Sequence, residues 1–303
     1  MRTWVRMAAI AIGVILSHAS GWASEVRQHS LNSAALGREL NYLVYLPDGY
    51  DNAMTGYPVL YLLHGAGGDE SSYVRNGQIR ETADRLIASK AIPPTLIVMP
   101  GCKDTWWVDG GAGKAETAFW SELVPIVEKM YRANRARNGR LIAGYSAGGY
   151  GAVRFALKFP DRIAAAAALS PAVYSELPPA ASAAIRQPAF FGAAGTFDAA
   201  IWKRLNYTAL LPGYLAQPQR VPFYLASGDN DGLGIAYETA LLFKRLYDDR
   251  PALVKLRVVD GGHTWKVWRP GLAEAMTYIY RFAAPPSLPQ NRPVETSAIA
   301  VAK

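Results

Sequence analysis

Leu141-Ile-Ala-Gly-Tyr-Ser-Ala-Gly-Gly-Tyr150 is the stretch of sequence that decides the fold. Its first residues form a short apolar run typical of a buried parallel strand. The residues after it repeat apolar side chains at helical spacing up to Pro160. The pattern therefore predicts a sharp strand-to-helix turn at Ser146. Gly144 and Gly148 flank this serine at positions where a Cβ would collide with neighbouring backbone.

Ser146 is the predicted nucleophile of this turn. A serine hydroxyl is a poor nucleophile unless it is held exposed, next to a base and beside N–H donors for a developing oxyanion. A helix that begins directly after the serine turns its free N–H groups and its positive dipole end toward the hydroxyl. We therefore expect the N–H of Ala147 to be one oxyanion donor.

A second Gly-rich stretch, His64-Gly-Ala-Gly-Gly68, ends the continuous apolar run at 58–64. Successive glycines free the backbone to direct N–H groups into a cleft. We expect the N–H of Ala66, or alternatively that of Gly67, to be the second oxyanion donor. A plain tight turn is the other interpretation of this stretch.

Strand and helix patterns alternate along the chain after a two-stranded start at 25–47. Apolar strands are predicted at 58–64, 95–100, 140–143, 163–169, 221–228 and 253–259, and helices at 78–89, 115–133, 149–159, 235–247 and in a last segment that ends near Phe282. This alternation is typical of an open, mostly parallel sheet with helices on both faces. Ligands bind such sheets at the carboxyl ends of the strands, where both Gly-rich stretches lie.

The segment 171–220 interrupts this alternation. It contains Pro178-Pro179 and alanine-rich stretches without a clear strand, and it lies between two predicted core strands. We expect it to form a lid or pocket wall over the site and to determine substrate choice. One α/β domain is predicted to cover 24–283, followed by a Pro-rich tail, 284–303, that is predicted to be disordered.

Residues 1–23 are predicted to be a signal peptide. They combine a positively charged leader, an apolar run of about ten residues and a small-x-small cleavage site before Ser24. Because this run is too short to span a bilayer, an uncleaved anchor is the less favoured alternative. We expect an exported chain, periplasmic or extracellular, without integral membrane association after cleavage.

The composition excludes several classes of partner. Half of the 303 residues are hydrophobic, which suits one large α/β domain or two small ones, and one domain is favoured. The formal net charge is +8, but there is no basic block interleaved with aromatic residues that would indicate a nucleic-acid partner. Cys102 is the only cysteine, so no internal disulfide can form. No cluster of side chains resembles a zinc site, and we expect no metal or cofactor.

Elimination leaves one histidine as the base that a serine nucleophile needs. Of the four histidines, His18 leaves with the signal peptide and His29 lies at the start of the mature chain. His64 precedes the predicted oxyanion loop, where a histidine more often supports the backbone. His263 lies on a Gly-Gly turn after the last predicted strand, where a base can reach a serine on a strand-to-helix turn. His263 is therefore the predicted base.

The carboxylate that orients this histidine is expected on the loop after the preceding strand. Asp229 and Asp231 both lie there. Asp231 is favoured because it lies deeper in the loop, whereas Asp229 is placed to hydrogen-bond the turn. Asp260 is a weaker candidate, since it is so near to His263 in sequence that both would need unusual backbone geometry. The predicted triad, Ser146, Asp231 and His263, has the chain order of α/β-hydrolases.

The chain resembles the esterase D/antigen 85-like family of α/β-hydrolases. That family includes feruloyl and related carbohydrate esterases, S-formylglutathione hydrolases, siderophore esterases and mycolyltransferases. The resemblance extends from Val26 to Phe282 and rests on Tyr42-Leu-Val-Tyr-Leu-Pro47, Leu62-Leu-His-Gly65, the Gly-rich turn at Ser146, Gly228-Asp-Asn-Asp231 and Gly262-His-Thr-Trp-Lys-Val-Trp268. In the family the acid is the last Asp of the Gly-x-x-Asp run, which implies Asp231.

The resemblance implies a serine esterase that hydrolyses carboxylic esters through an acyl-enzyme, and export suits a carbohydrate or hydroxycinnamate ester. An acyltransferase of the mycolyltransferase type, with the same triad, is the alternative. A catalytically silent binding protein on the same scaffold is a further one. Thr105-Trp-Trp-Val-Asp109 resembles an aromatic segment of the family. Trp106, Trp107 and Trp265 are candidates for an aromatic cleft wall that binds substrate, with core packing as the alternative.

Overall fold

The computed structural model describes residues 24–287 of the chain. The predicted signal peptide, 1–23, and residues 288–303 of the predicted tail lie outside the described residues. The strands within 24–287 are β1 (Glu25–Ser33), β2 (Arg38–Leu46), β3 (Val59–Leu63), β4 (Leu96–Pro100), β5 (Asp109–Gly110), β6 (Gly113–Lys114), β7 (Arg140–Tyr145), β8 (Ala165–Leu169), β9 (Phe223–Gly228) and β10 (Val254–Val259).

Eight of these strands form one sheet, in the order β1-β2-β4-β3-β7-β8-β9-β10, while β5 and β6 form a short hairpin. β2 pairs antiparallel with both β1 and β4, and the strands from β4 to β10 in this order pair parallel. The register between β3 and β7 aligns Leu63 with Gly144. The two Gly-rich stretches therefore lie side by side, because each directly follows one of these two strands.

Helices connect the parallel strands. They are α1 (Ser72–Arg75), α2 (Ile79–Ala88), α3 (Ala115–Thr117), α4 (Val124–Met130), α5 (Ala147–Lys158), α6 (Ala199–Leu205), α7 (Tyr207–Leu215), α8 (Ile235–Asp249) and α9 (Trp265–Ile279). A π-helical segment, Ala118–Leu123, joins α3 to α4, so the helix predicted at 115–133 is continuous up to Met130.

Alternating side chains of the central strands face two separate helical layers. On β3, Leu60 and Leu62 belong to the core that includes α2 and α9. Tyr61 and Leu63 belong to the core that includes α4, α5 and α8. Every residue of β3 and β4 is buried, as is typical of parallel strands whose two faces are both covered by helices. The predicted α/β-hydrolase architecture is confirmed.

The insertion at 171–220 lies between β8 and β9 and contributes no strand to the main sheet. It contains α6 and α7, which the sequence pattern did not predict. Trp202 of α6 is fully buried, and its ring stacks on that of Tyr150 of α5 with 5.5 Å between centroids. The insertion is thus packed directly on the helix that follows Ser146.

Residues 24–287 contain neither a membrane-spanning helix nor a cluster of metal-binding side chains. No helix in this range is long and apolar enough to cross a membrane. The same range holds no group of three or more His, Cys, Asp or Glu side chains that could bind a metal ion together. Cys102 is a free, buried thiol, and its burial raises its pKa to about 12.

Candidate active site

Ser146 lies on a strained turn between β7 and α5. Its backbone has φ 55° and ψ −121°, a region that non-glycine residues rarely adopt. A Cβ on Gly148 would overlap the carbonyl oxygen of Leu63, and one on Gly144 would overlap the carbonyl of Gly148. Ser146 is partly exposed although the residues on either side of it are buried. The turn therefore presents the serine hydroxyl at the carboxyl edge of the sheet.

Three side chains that the sequence placed in a triad form one hydrogen-bonded series. The Ser146 hydroxyl lies 2.8 Å from Nε2 of His263, and Nδ1 of His263 lies 2.6 Å from Oδ2 of Asp231. Because a carboxylate only accepts hydrogen bonds, Nδ1 carries the proton and Nε2 is left to accept from the hydroxyl. The Asp231 side chain has no exposed surface, and that of His263 is 22% exposed.

The two aspartates of the loop after β9 have different hydrogen-bond partners. Asp231 also accepts, through Oδ1, the N–H of Leu233 at 3.1 Å. Asp229 instead accepts the N–H of Gly261 at 3.0 Å and donates its own N–H to Val259 at 2.9 Å. Asp229 thereby ties the aspartate loop to the histidine loop, and among the described residues it makes no hydrogen bond to His263. Within residues 24–287, Asp260 also makes no hydrogen bond to His263.

Trp268 supports His263 from the side, a contact that sequence reasoning did not assign. The two rings meet edge to face, with 4.9 Å between centroids and 89° between planes. The Trp268 Nε1–H donates to Oγ of Ser170 at 3.0 Å, which fixes the indole relative to the end of β8. Its signal in the sequence is its position in the first turns of the helix that begins two residues after His263.

The predicted oxyanion donors, Ala147 and Ala66, belong to two segments that lie next to the serine. Ala147 is the first residue of α5, so its N–H has no partner within the helix. A Cβ built on Gly65 would lie 3.1 Å from Cβ of Ser146, which places the Gly65–Ala66 peptide against the serine. The Gly67 N–H, the alternative donor, already donates to Oδ1 of Asp104 at 3.1 Å.

Trp106 and Trp107 do not form the predicted aromatic cleft wall. Trp106 and Trp107 are 2% and 1% exposed. Trp106 packs against Tyr150 of α5 and against Phe190 and Trp202 of the insertion, and Trp107 packs against His64 and Gly151 of α5. They leave no face on which a substrate could stack, and core packing, the alternative, describes them. Trp265 is partly exposed and packs on Tyr145, with 4.7 Å between ring centroids.

A mostly parallel sheet covered by helices, with a serine on a strand-to-helix turn that faces a histidine and an aspartate from later loops, defines the α/β-hydrolase class. Within that class, the chain belongs to the esterase family. Its sequence matches the family model described as "Putative esterase" over residues 33–279.

Curated relatives resemble the chain over part of its length. Esterase Rv1288 of Mycobacterium tuberculosis is 33% identical over 148 residues, which are 47% of this chain and 31% of that protein. An endo-1,4-beta-xylanase/feruloyl esterase of Xylanibacter ruminicola is 32% identical over 145 residues, which are 45% of this chain and 20% of that protein. The matched regions thus span less than a third of these relatives.

Solved structures match more of the fold. A ferulic acid esterase superimposes with a TM-score of 0.72 and 27% sequence identity. The match covers 86% of this chain and 99% of that one.

Proposed function

We propose that the protein is an exported serine esterase that hydrolyses carboxylic esters through Ser146, His263 and Asp231. One observation carries the proposal, the hydrogen-bonded series from Asp231 through His263 to the hydroxyl of Ser146. A carboxylate, an imidazole and a hydroxyl in this order raise the nucleophilicity of the serine at neutral pH.

The proposed reaction has two halves. Oγ of Ser146 attacks the ester carbonyl carbon while Nε2 of His263 takes the hydroxyl proton, and Asp231 stabilises the resulting imidazolium. The tetrahedral intermediate collapses as its bond to the alkoxy oxygen breaks, and His263 returns the proton to the leaving alcohol. A water molecule then attacks the acyl-enzyme while His263 takes one of its protons. When the second tetrahedral intermediate collapses, His263 returns this proton to Oγ of Ser146 and the free acid leaves.

The N–H groups of Ala66 and Ala147 are the proposed donors to the oxyanion of both intermediates. Each donor of this kind lowers the barrier by roughly 3 kcal/mol, because it is already oriented toward the charge that develops. The partial positive charge at the start of α5 acts on the same oxygen.

Hydroxycinnamate and carbohydrate esters are the substrate classes we propose. The names of the ferulic acid esterase and of the xylanase/feruloyl esterase support this choice.

The proposed export depends on the predicted signal peptide, residues 1–23. If export is correct, the protein recovered outside the cytoplasm begins at Ser24 by intact mass; a full-length mass there contradicts cleavage.

A panel of esters tests the proposal. Purified protein without 1–23 is assayed on p-nitrophenyl esters of increasing acyl length, on methyl ferulate and on an acetylated xylo-oligosaccharide, beside Ser146→Ala. We expect turnover of at least one class, reduced by several orders of magnitude in the variant. Equal inertness of two folded proteins contradicts the esterase proposal. Conversion of the acyl group into a new ester when alcohol or sugar is added would identify an acyltransferase.

A further inference from the structure

The segment between β4 and the β5–β6 hairpin has an unusual backbone. We call residues 102–107 the bracing segment. Three of its non-glycine residues have positive φ angles, Lys103 at 52°, Trp106 at 52° and Trp107 at 60°. Such angles are unfavourable for bulky side chains and persist only where surrounding contacts impose them. In this structure, the bracing segment makes hydrogen bonds to the loop at 64–68, which lies beside Ser146.

The bracing segment holds that loop on both sides of Ala66. Before Ala66, the Trp107 Nε1–H donates to the carbonyl oxygen of His64 at 3.1 Å. After it, the N–H of Gly67 donates to Oδ1 of Asp104 at 3.1 Å. The Trp107 bond is buried, whereas Asp104 is exposed to solvent.

Two further hydrogen bonds, both within the loop itself, set the direction of the peptide between Gly65 and Ala66. The Gly65 carbonyl oxygen accepts from Nδ1 of His64 at 2.8 Å and from the N–H of Gly68 at 3.1 Å. Since this oxygen only accepts, Nδ1 of His64 carries the proton. Burial lowers the pKa of His64, which keeps the ring neutral.

Peptide planarity converts these contacts into a directed donor. In a trans peptide the C=O and the N–H point in opposite directions, so holding the Gly65 carbonyl also fixes the Ala66 N–H. Within residues 24–287 this N–H has no acceptor. A loop with three glycines would otherwise sample many orientations, and an oxyanion donor is effective only when it is already oriented.

We propose that the bracing segment orients the Ala66 N–H as an oxyanion donor, and that Asp104 is a positioning residue for the reaction. This inference rests on the proposed esterase function. It also assigns Gly67 a different task from the one the sequence left open, since its N–H holds the loop instead of binding substrate.

Because Asp104 is charged, the direction in which activity changes in its variants tests the inference. A carboxylate beside an oxyanion site repels the developing negative charge, so its removal would raise activity if electrostatics alone mattered. Loss of the hydrogen bond to Gly67 acts in the opposite direction. Asp104→Ala removes both the charge and the acceptor, whereas Asp104→Asn removes the charge and keeps an oxygen at the same position.

The experiment measures kcat and KM for p-nitrophenyl acetate. For Asp104→Ala we expect kcat to fall roughly tenfold or more with little change in KM, a part of the about 10²–10³-fold loss that follows removal of an oxyanion donor. Asp104→Asn keeps the acceptor and removes the repulsion, so its kcat is expected to be at or above that of the wild type. Asp48→Ala is the matched control, because Asp48 is exposed and its side chain makes no hydrogen bond among the described residues.

A second readout separates positioning from a general loss of structure. Phenylboronic acid forms a tetrahedral adduct on a reactive serine, and we expect its affinity to weaken in Asp104→Ala by about the same factor as kcat/KM. Unchanged kcat in Asp104→Ala, or equal losses in the Ala and Asn variants, overturns the inference while esterase activity that depends on Ser146 stands. Wild-type protein that hydrolyses no ester overturns the proposed function itself.

Discussion

Asp229 and Asp231 lie two residues apart on one loop, yet their carboxylates have different partners. Asp231 accepts from the imidazole of His263, and Asp229 accepts from the backbone of the histidine loop. We predict that Asp231→Asn lowers kcat by about 10⁴-fold, because an amide donor turns the imidazole to the wrong tautomer. Asp229→Asn is the matched variant, and its kcat is expected to stay within a fewfold of wild type.

The measurement is kcat on p-nitrophenyl acetate for both variants at one pH, with circular dichroism as the check on folding. If Asp229→Asn loses more activity than Asp231→Asn, the assignment of the acid is reversed.

The sequence narrowed the nucleophile and the base to single residues because the chain offers few alternatives. Ser146 has a glycine on each side at the required spacing, and three of four histidines lie at unsuitable places. The roles of Trp106 and Trp107 could not be read in the same way. An indole is equally suitable for a cleft and for a core, and the difference depends on backbone angles that residue type does not encode.

Helix α5 connects the serine turn to the rest of the molecule through a buried ion pair. Arg154 Nη2 lies 3.0 Å from Oε2 of Glu116, and the two side chains are 3% and 8% exposed. Lys158 also contacts Glu116, and Arg154 contacts the carbonyl oxygen of Leu205 at the end of α6. The pair therefore joins α3, α5 and the insertion.

We predict that Arg154→Met destabilises the protein by about 3 kcal/mol, the lower part of the range for breaking a buried pair, since Lys158 still neutralises Glu116. The double variant Arg154→Met/Glu116→Leu is expected to recover most of this loss, because no charge is then buried without a partner. Urea unfolding of the wild type, both single variants and the double variant measures the coupling. Additive losses in the double variant would refute it.

The regular elements were predictable from sequence, and those of the insertion were not. β3, β4 and β9 are continuous apolar runs, which indicate buried parallel strands. Helices α6 and α7 have only 7 and 9 residues, and α7 contains Pro212. Helices this short carry too few turns for a periodic pattern, and they form because Trp202 and its aromatic neighbours pack on α5.

Two histidines couple the stability of the whole molecule to pH. Burial lowers the pKa of His64 and, together with the charge of Arg27, that of His29. The unfolded chain therefore binds protons that the folded chain excludes, at pH values below the ordinary histidine pKa of about 6.5. The stabilising contribution of these two neutral histidines is thus fully present above that value. The free energy of unfolding falls as the pH decreases below it.

We predict a lower urea midpoint at pH 5 than at pH 7.5, and a smaller difference in His29→Gln, which removes one of the two groups. The measurement is urea unfolding followed by tryptophan fluorescence at both pH values. A midpoint that is unchanged or higher at pH 5 would show that unfolding does not release these histidines to bind protons.

Ser146, at the junction of β7 and α5, is the residue on which the whole proposed reaction depends. The most direct test is reaction with a serine-directed fluorophosphonate, followed by mass spectrometry of the intact protein and its peptides. We predict a single adduct on the peptide that contains Ser146, absent from Ser146→Ala and strongly slowed in His263→Ala. Absence of an adduct on folded wild-type protein, or an adduct that persists in Ser146→Ala, would show that Ser146 is not the nucleophile.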